Sequence, residues 1–232
     1  MSDQLTLRMR VDGDASLDNF SVRATLQLLE AKILDLQAGK GESLFLWGPE
    51  GVGKSHLLQA ISRSLGSQAL YLPFSEIIQF PADAVLDGVA QSQVVLFDDV
   101  HLVSGRAEWQ EGLFHTYNRL KTGDILQIYS ARQAPAAMVD VLPDLRSRWS
   151  ELTVYHMPAY SESELGALLR FRAGRRGLKL SDEVVSYILA RAPRSASALM
   201  ALLENLDQAA MAQGRSITIP LLNELKLLSM DR

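Results

Sequence analysis

The sequence predicts an α/β fold: a five-stranded parallel sheet with helices on both faces, followed by a small all-helical domain. Three observations carry that expectation. Short apolar runs alternate with stretches of helical periodicity from residue 22 to residue 155, the pattern of a parallel sheet covered on both sides. A glycine-rich G-x-x-x-x-G-K-S turn spans residues 48–55, between one such run and a helical stretch. After Pro158 the apolar runs give way to helical periodicity alone.

The elements follow in order. Residues 1–14 read as a tail, in which residues 4–9 alternate in polarity before the polar Asp12, Gly13 and Asp14. That alternation suits either a short edge strand or a terminal peptide motif. Leu26, Leu29, Ile33 and Leu36 recur at helical spacing over residues 22–36, ahead of Gly39 and Gly41. Residues 43–47 form the first strand and residues 54–65 the helix behind the glycine-rich turn. A strand at 69–72 precedes a helical region at 75–86 that Pro81 interrupts, because proline removes a backbone donor. Residues 94–97 form a buried strand bounded by Asp98 and Asp99. A helix over 105–120 presents Trp109, Leu113, Tyr117 and Leu120 on one side and stops at Gly123. Strands at 125–129 and 151–155 complete the sheet, with residues 138–148 between them.

Helices are expected at 161–172, 182–191, 195–213 and 220–228. Ser161 and Glu164 have the spacing of a capping box, and Ser181 precedes the acidic Asp182 and Glu183. The domains are therefore a tail at 1–14, an α/β domain at 15–160 and a helical lid at 161–232.

Composition limits the function classes. With 232 residues, 47% apolar and 22% charged, the chain can bury a full core and a second, smaller one. The opening residues are polar, and no apolar run reaches the roughly 18 residues of a bilayer span. Without cysteine there are no disulfides or thiolate metal sites, which suits a reducing cytoplasm. His56, His101, His115 and His156 follow no ligand spacing, so no structural metal is expected. Residues 1–160 carry 13 basic and 19 acidic side chains, and residues 161–232 carry 10 and 8. Neither part is a strongly basic nucleic-acid surface, so direct DNA binding starts on a weak footing.

The chemistry centres on the turn. Gly48, Gly51 and Gly53 let the backbone wrap around phosphate with N–H groups pointing inward, and Pro49, Glu50 and Val52 complete the loop. Lys54 is placed to reach the terminal phosphates and Ser55 to ligate Mg²⁺. His56 lies just behind them, where the positive end of the helix dipole adds to the site. Asp98, at the carboxyl end of a central strand, can meet that Mg²⁺, and Asp99 can orient an attacking water. In P-loop ATPases of the additional-strand class, the strand between the loop strand and the acidic strand bears a polar residue facing the terminal phosphate. Ser130 is the candidate here, with Arg132 as its neighbour. Arg148, remote in sequence from the chain's own loop, has the planar guanidinium of an arginine finger acting on another protein's nucleotide. Arg146 and plain surface roles are the alternatives. Arg194, at the start of a lid helix, can reach the chain's own phosphates.

These pieces resemble the AAA+ ATPases, and within them the DnaA family of bacterial replication initiators. The resemblance rests on Asp18, Asn19 and Phe20, the loop at 48–55, the acidic strand at 94–99, the FHTYN run at 114–118, the LRSR run at 145–148, and Arg194. It covers roughly residues 15–219. A full initiator adds a partner-binding domain before this region and a helix-turn-helix domain after it. The pattern of the present chain is that of the ATPase region alone, and so resembles the family's short regulatory inactivators.

That resemblance implies a nucleotide-bound regulator, with ADP or ATP and Mg²⁺ as ligands. It would tie the initiator DnaA to the DNA-loaded sliding clamp and stimulate hydrolysis of the initiator's ATP, with contact to DNA only through the clamp. Arg148 matches the family's finger, Arg194 the lid sensor, and Asn19 and Phe20 the stretch near adenine. Gln4, Leu5, Leu7 and Met9 match peptides that dock on the clamp. The chain's own ATPase is expected to be weak or absent, and nucleotide-dependent self-association is a further expectation. The competing readings are a helicase-loader-like ATPase, a self-sufficient ATPase motor, and a nonenzymatic scaffold stabilised by nucleotide.

Overall fold

The structure, a computed structural model, describes residue 17 and residues 27–38, 40–213 and 216–225. It divides into two compact units. One comprises the chain to Pro49 together with Lys54–Met157, and the other comprises Glu50–Gly53 and the chain from Pro158 onward.

In the first unit, α1 (Gln27–Gln37) precedes β1 (Leu44–Trp47), and the phosphate-type loop leads into α2 (Lys54–Leu65). Next come β2 (Ala69–Pro73), the short helices α3 (Phe74–Ile77) and α4 (Ala82–Leu86), and β3 (Val94–Asp98). The unit closes with α5 (Ala107–Thr122), β4 (Leu126–Ala131), α6 (Pro143–Ser150) and β5 (Thr153–His156). The strand order is β2-β3-β4-β1-β5, and every pairing is parallel. The acidic strand β3 is thus separated from the loop strand β1 by β4, as the additional-strand reading requires. Pro81 does break the expected helix at 75–86, leaving α3 and α4 as separate pieces.

Several boundaries differ from expectation. The helix expected at 105–120 lies at Ala107–Thr122, and the strand expected at 125–129 runs on to Ala131, which places Ser130 inside β4 rather than after it. The last strand starts two residues later than the sequence suggests, at Thr153, because α6 continues to Ser150. Apolar periodicity marks which face is buried but not where hydrogen bonding stops.

Register explains the core. Phe45 and Tyr129 are partners across β1 and β4, and Phe97 and Tyr129 are partners across β3 and β4. All three rings therefore stand on one face, where Phe97 and Tyr129 stack at 4.6 Å. Trp149 of α6 tilts onto both Phe45 and Tyr129 at 5.6 Å. An aromatic pair of this kind contributes about 0.5–1.5 kcal/mol beyond its buried area. Side chains alternate along a strand, so Leu44, Leu46, Leu96 and Ile128 point to the other face and are also buried. Helix α2 packs against β2, β3 and β4.

In the second unit, α7 (Glu162–Arg175), α8 (Asp182–Leu189), α9 (Ala196–Gln213) and α10 (Ile219–Glu224) follow one another, with no strand among the described residues. Leu165, Leu169, Val185, Ile188, Leu199, Leu203 and Leu206 form its core. Ser161 caps α7 with a full capping box: Glu164 N–H donates to the Ser161 hydroxyl, and the Ser161 N–H donates to the Glu164 carboxylate. Ser181 caps α8 by accepting from Val184 N–H.

Candidate nucleotide and metal site

The loop is shaped for close approach. Gly51 and Gly53 have φ of 77° and 96°, conformations that L side chains rarely adopt. At Gly48 the constraint is contact: a Cβ would lie 2.0 Å from the Met157 carbonyl oxygen, because Met157 N–H donates to Trp47 O at 2.7 Å and holds the two chain segments together. Lys54 is 5% exposed, and its ammonium donates to the carbonyls of Gly48 and Pro49, both at 2.8 Å. A buried ammonium folded onto its own loop carbonyls can exchange them for phosphate oxygens. Pro49 and Glu50 are exposed, Val52 is buried, and Ser55 and His56 are half-buried in the first turn of α2. That turn contains no acidic residue, so its N-terminus remains favourable for an anion.

Asp98 ends β3 and is 3% exposed. Its Oδ2 accepts from the Tyr71 hydroxyl at 2.7 Å, and its Oδ1 accepts from the Ser130 hydroxyl. The Ser130 oxygen in turn accepts from Asp99 N–H at 2.9 Å. Tyr71, Asp98 and Ser130 come from three neighbouring strands, which places the acid, the serine and the following residue Asp99 in one cluster. Asp99 has φ 60°, and its carboxylate lies 3.7 Å from His101 Nδ1. Burial, with the charge of Asp98 beside it, pushes the Tyr71 phenol far above its ordinary pKa, so Tyr71 is the donor in this pair.

Sequence reasoning missed Tyr71 and Gln59, whose side-chain amide donates to the Tyr71 hydroxyl at 3.2 Å. The signal was present but weak: Gln59 lies one helical turn beyond Ser55, and Tyr71 sits in the strand next to the acidic one. Among the described residues no group of three or more His, Asp or Glu side chains could hold a metal. Ser55 in the first turn of α2 and Asp98 at the end of β3 supply a hydroxyl and a carboxylate, the kind of oxygen donor that Mg²⁺ takes alongside phosphate.

The arginines are separated. Arg148 lies in the last turn of α6, which leads into the start of β5, so it belongs to the amino end of the sheet, away from the loop that follows the carboxyl end of β1. It is half-buried and pairs with Glu151 at 2.9 Å, while Lys121 reaches the same carboxylate at 3.0 Å. The bonds from Lys121 and then Arg148 hold the Glu151 carboxyl below its ordinary pKa. A cavity of about 1130 Å³ opens at that end of the sheet, lined in part by Tyr117, Lys121, Glu151 and Thr153. Arg146 is half-buried and Arg132 is exposed just after β4. In the helical unit, Arg194 precedes α9 by two residues and pairs with Glu162 at 3.3 Å. Gln4, Leu5, Leu7, Met9, Asn19 and Phe20 lie outside the described residues.

The model of the bacterial DnaA ATPase domain matches residues 16–154, more than half of the chain. The chain belongs to the bacterial DnaA ATPase family. The Hda lid-domain model matches residues 162–225 of this DnaA-family chain, the segment of α7 to α10. An uncharacterized protein of Haemophilus influenzae is 34% identical over 229 residues, covering 97% of this chain and 99% of its own. The fold is similar to domain III of the Thermotoga maritima replication initiation protein DnaA, with a TM-score of 0.80 at 21% identity, covering 95% of this chain and 97% of that one. It is also similar to AMPPCP-bound DnaA from Aquifex aeolicus, with a TM-score of 0.73 at 20% identity over 85% of this chain and 66% of that one. Membership of the ATPase family makes this DnaA-type domain a nucleotide-binding one. No helix among the described residues is long and apolar enough to cross a membrane.

Proposed function

We propose that this chain, holding ADP or ATP with Mg²⁺, is a cytoplasmic regulator that joins the initiator DnaA to the DNA-loaded sliding clamp. It stimulates hydrolysis of the initiator's ATP, leaving the inactive ADP-bound initiator and preventing re-initiation. The observation that carries this reading is the pairing of a DnaA ATPase match at 16–154 with an Hda lid match at 162–225 in one chain.

In this reading the loop from Gly48 to Ser55, with His56 behind it, binds the phosphates of the chain's own nucleotide. Ser55 and Asp98 hold Mg²⁺, which neutralises phosphate charge when bound. Asn19 and Phe20 pack near adenine, Ser130 faces the terminal phosphate, and Arg194 serves as the lid sensor. The cluster at Asp98 supports binding more directly than turnover, so the chain's own hydrolysis is slow or absent even with Asp99 in position to orient water. Arg148 serves the partner: a guanidinium at the far end of the sheet from its own loop is suited to another molecule's nucleotide. Glu151 holds it until the initiator's phosphates compete for it. Gln4, Leu5, Leu7 and Met9 anchor the chain to the clamp.

The test is a pulldown with purified partners. Immobilised chain saturated with ADP and Mg²⁺ is expected to retain both ATP-bound initiator and clamp. Retention of neither partner contradicts the proposal.

A further inference from the structure

We infer that Tyr71, aimed by Gln59, is a positioning residue for the divalent cation: it fixes the Asp98 carboxylate from one side while Ser130 fixes it from the other. The inference rests on the reading of Ser55 and Asp98 as the cation-holding pair and extends it to residues with no direct contact to that cation.

The geometry is specific. The Tyr71 hydroxyl donates to Asp98 Oδ2 at 2.7 Å and receives the Gln59 amide at 3.2 Å. The Gln59 bond occupies a lone pair of the phenol oxygen and turns its single proton toward Asp98. An ionised carboxylate offers about four acceptor positions. The two hydroxyl donors on Asp98 fix its rotation and leave acceptor capacity for a cation or its water. Both donors are neutral, so they satisfy a buried acid without competing for its charge as an arginine would. Gln59 is four residues beyond Ser55 on α2, hence on the same helix face. The relay Gln59–Tyr71–Asp98 therefore ties the helix bearing the serine ligand to the strand bearing the acid. Tyr71 is 5% exposed, so its bonds meet little competition from water.

The measurement is ADP affinity of the whole chain by calorimetry, with Mg²⁺ and again in EDTA, for wild type, Tyr71→Phe and Gln59→Leu, with thermal unfolding of each. The readout is the ratio of the two affinities. Tyr71→Phe keeps the ring and its packing and removes one hydrogen bond to a charged group. The Mg²⁺-dependent gain should drop by about tenfold, while the midpoint of unfolding and the affinity in EDTA stay near wild type. Gln59→Leu should lower the gain by less.

An unchanged gain in Tyr71→Phe overturns the assignment and leaves the proposed function standing. Equal losses with and without Mg²⁺ also overturn it, because the hydroxyl then supports the fold rather than the cation. Wild type that binds no ADP under either condition removes the nucleotide reading itself, and this inference with it. Wild type whose affinity is indifferent to Mg²⁺ removes Asp98 as a cation ligand, and Tyr71 as its support.

Discussion

In the proposed function, Lys54 is the residue on which nucleotide affinity turns. A 5% exposed ammonium satisfied by carbonyls of its own loop is already positioned among the groups that phosphate would meet. Exchanging a carbonyl for a charged phosphate oxygen strengthens the bond, and hydrogen bonds to charged groups contribute about 1.5–3 kcal/mol. Lys54→Ala is therefore expected to weaken ADP binding by roughly 10–100-fold, read by calorimetry, with Mg²⁺ present throughout. Unchanged affinity would mean that the ammonium serves the loop and not the ligand. The residue types at 54, 55 and 98 are legible in the sequence because a local spacing defines them. Tyr71 is not: its bond to Asp98 spans 27 residues and depends on which strands become neighbours.

At the scale of elements, the junction of β1, the loop and the end of β5 is tightly closed. The hydrogen bond from Met157 N–H to Trp47 O brings the Met157 carbonyl to where a Gly48 Cβ would sit, 2.0 Å away. Gly48→Ala must displace the end of a strand pair, so it is expected to lose ADP binding and to lower thermal stability by about 1–3 kcal/mol, the usual range for strained sites. Calorimetry and thermal melts check both effects, and an alanine variant with wild-type affinity and melting contradicts the close-packing argument. Element identity was largely legible in the sequence. The break at Pro81, the capping box at Ser161 and the cap at Ser181 each depend on residues a few positions apart. Gln110 shows the limit of such reasoning. In the first turn of α5 and polar, it carries no mark of burial in the sequence, yet it is 4% exposed: its amide donates to Val103 O and Asp140 O, and its oxygen accepts from Leu142 N–H. Only tertiary placement gives it that role.

At the scale of the whole molecule, the proposed function assigns three jobs to separate regions of one chain: nucleotide binding at the carboxyl ends of the strands, a partner-directed arginine at their amino ends, and a clamp anchor near the start of the chain. Independence of these jobs has a direct consequence. Leu5→Ala and Leu7→Ala should abolish clamp retention while leaving ADP affinity and melting temperature unchanged, because peptide anchors of this kind act through their own side chains. Early unfolding of those variants would place the segment in a core instead.

In the proposed function, Arg148 acts on the initiator's nucleotide and not on its own. The most direct measurement is single-turnover release of labelled phosphate from ATP-bound initiator, in the presence of loaded clamp and either wild-type chain or Arg148→Ala. Arg148→Ala is predicted to retain ADP and clamp but to fail to stimulate release; arginine fingers in GTPases are worth on the order of 10³–10⁵ in rate. Arg148→Lys should restore little, because an ammonium lacks the planar fork. Full stimulation by Arg148→Ala would contradict the claim and shift attention to Arg146.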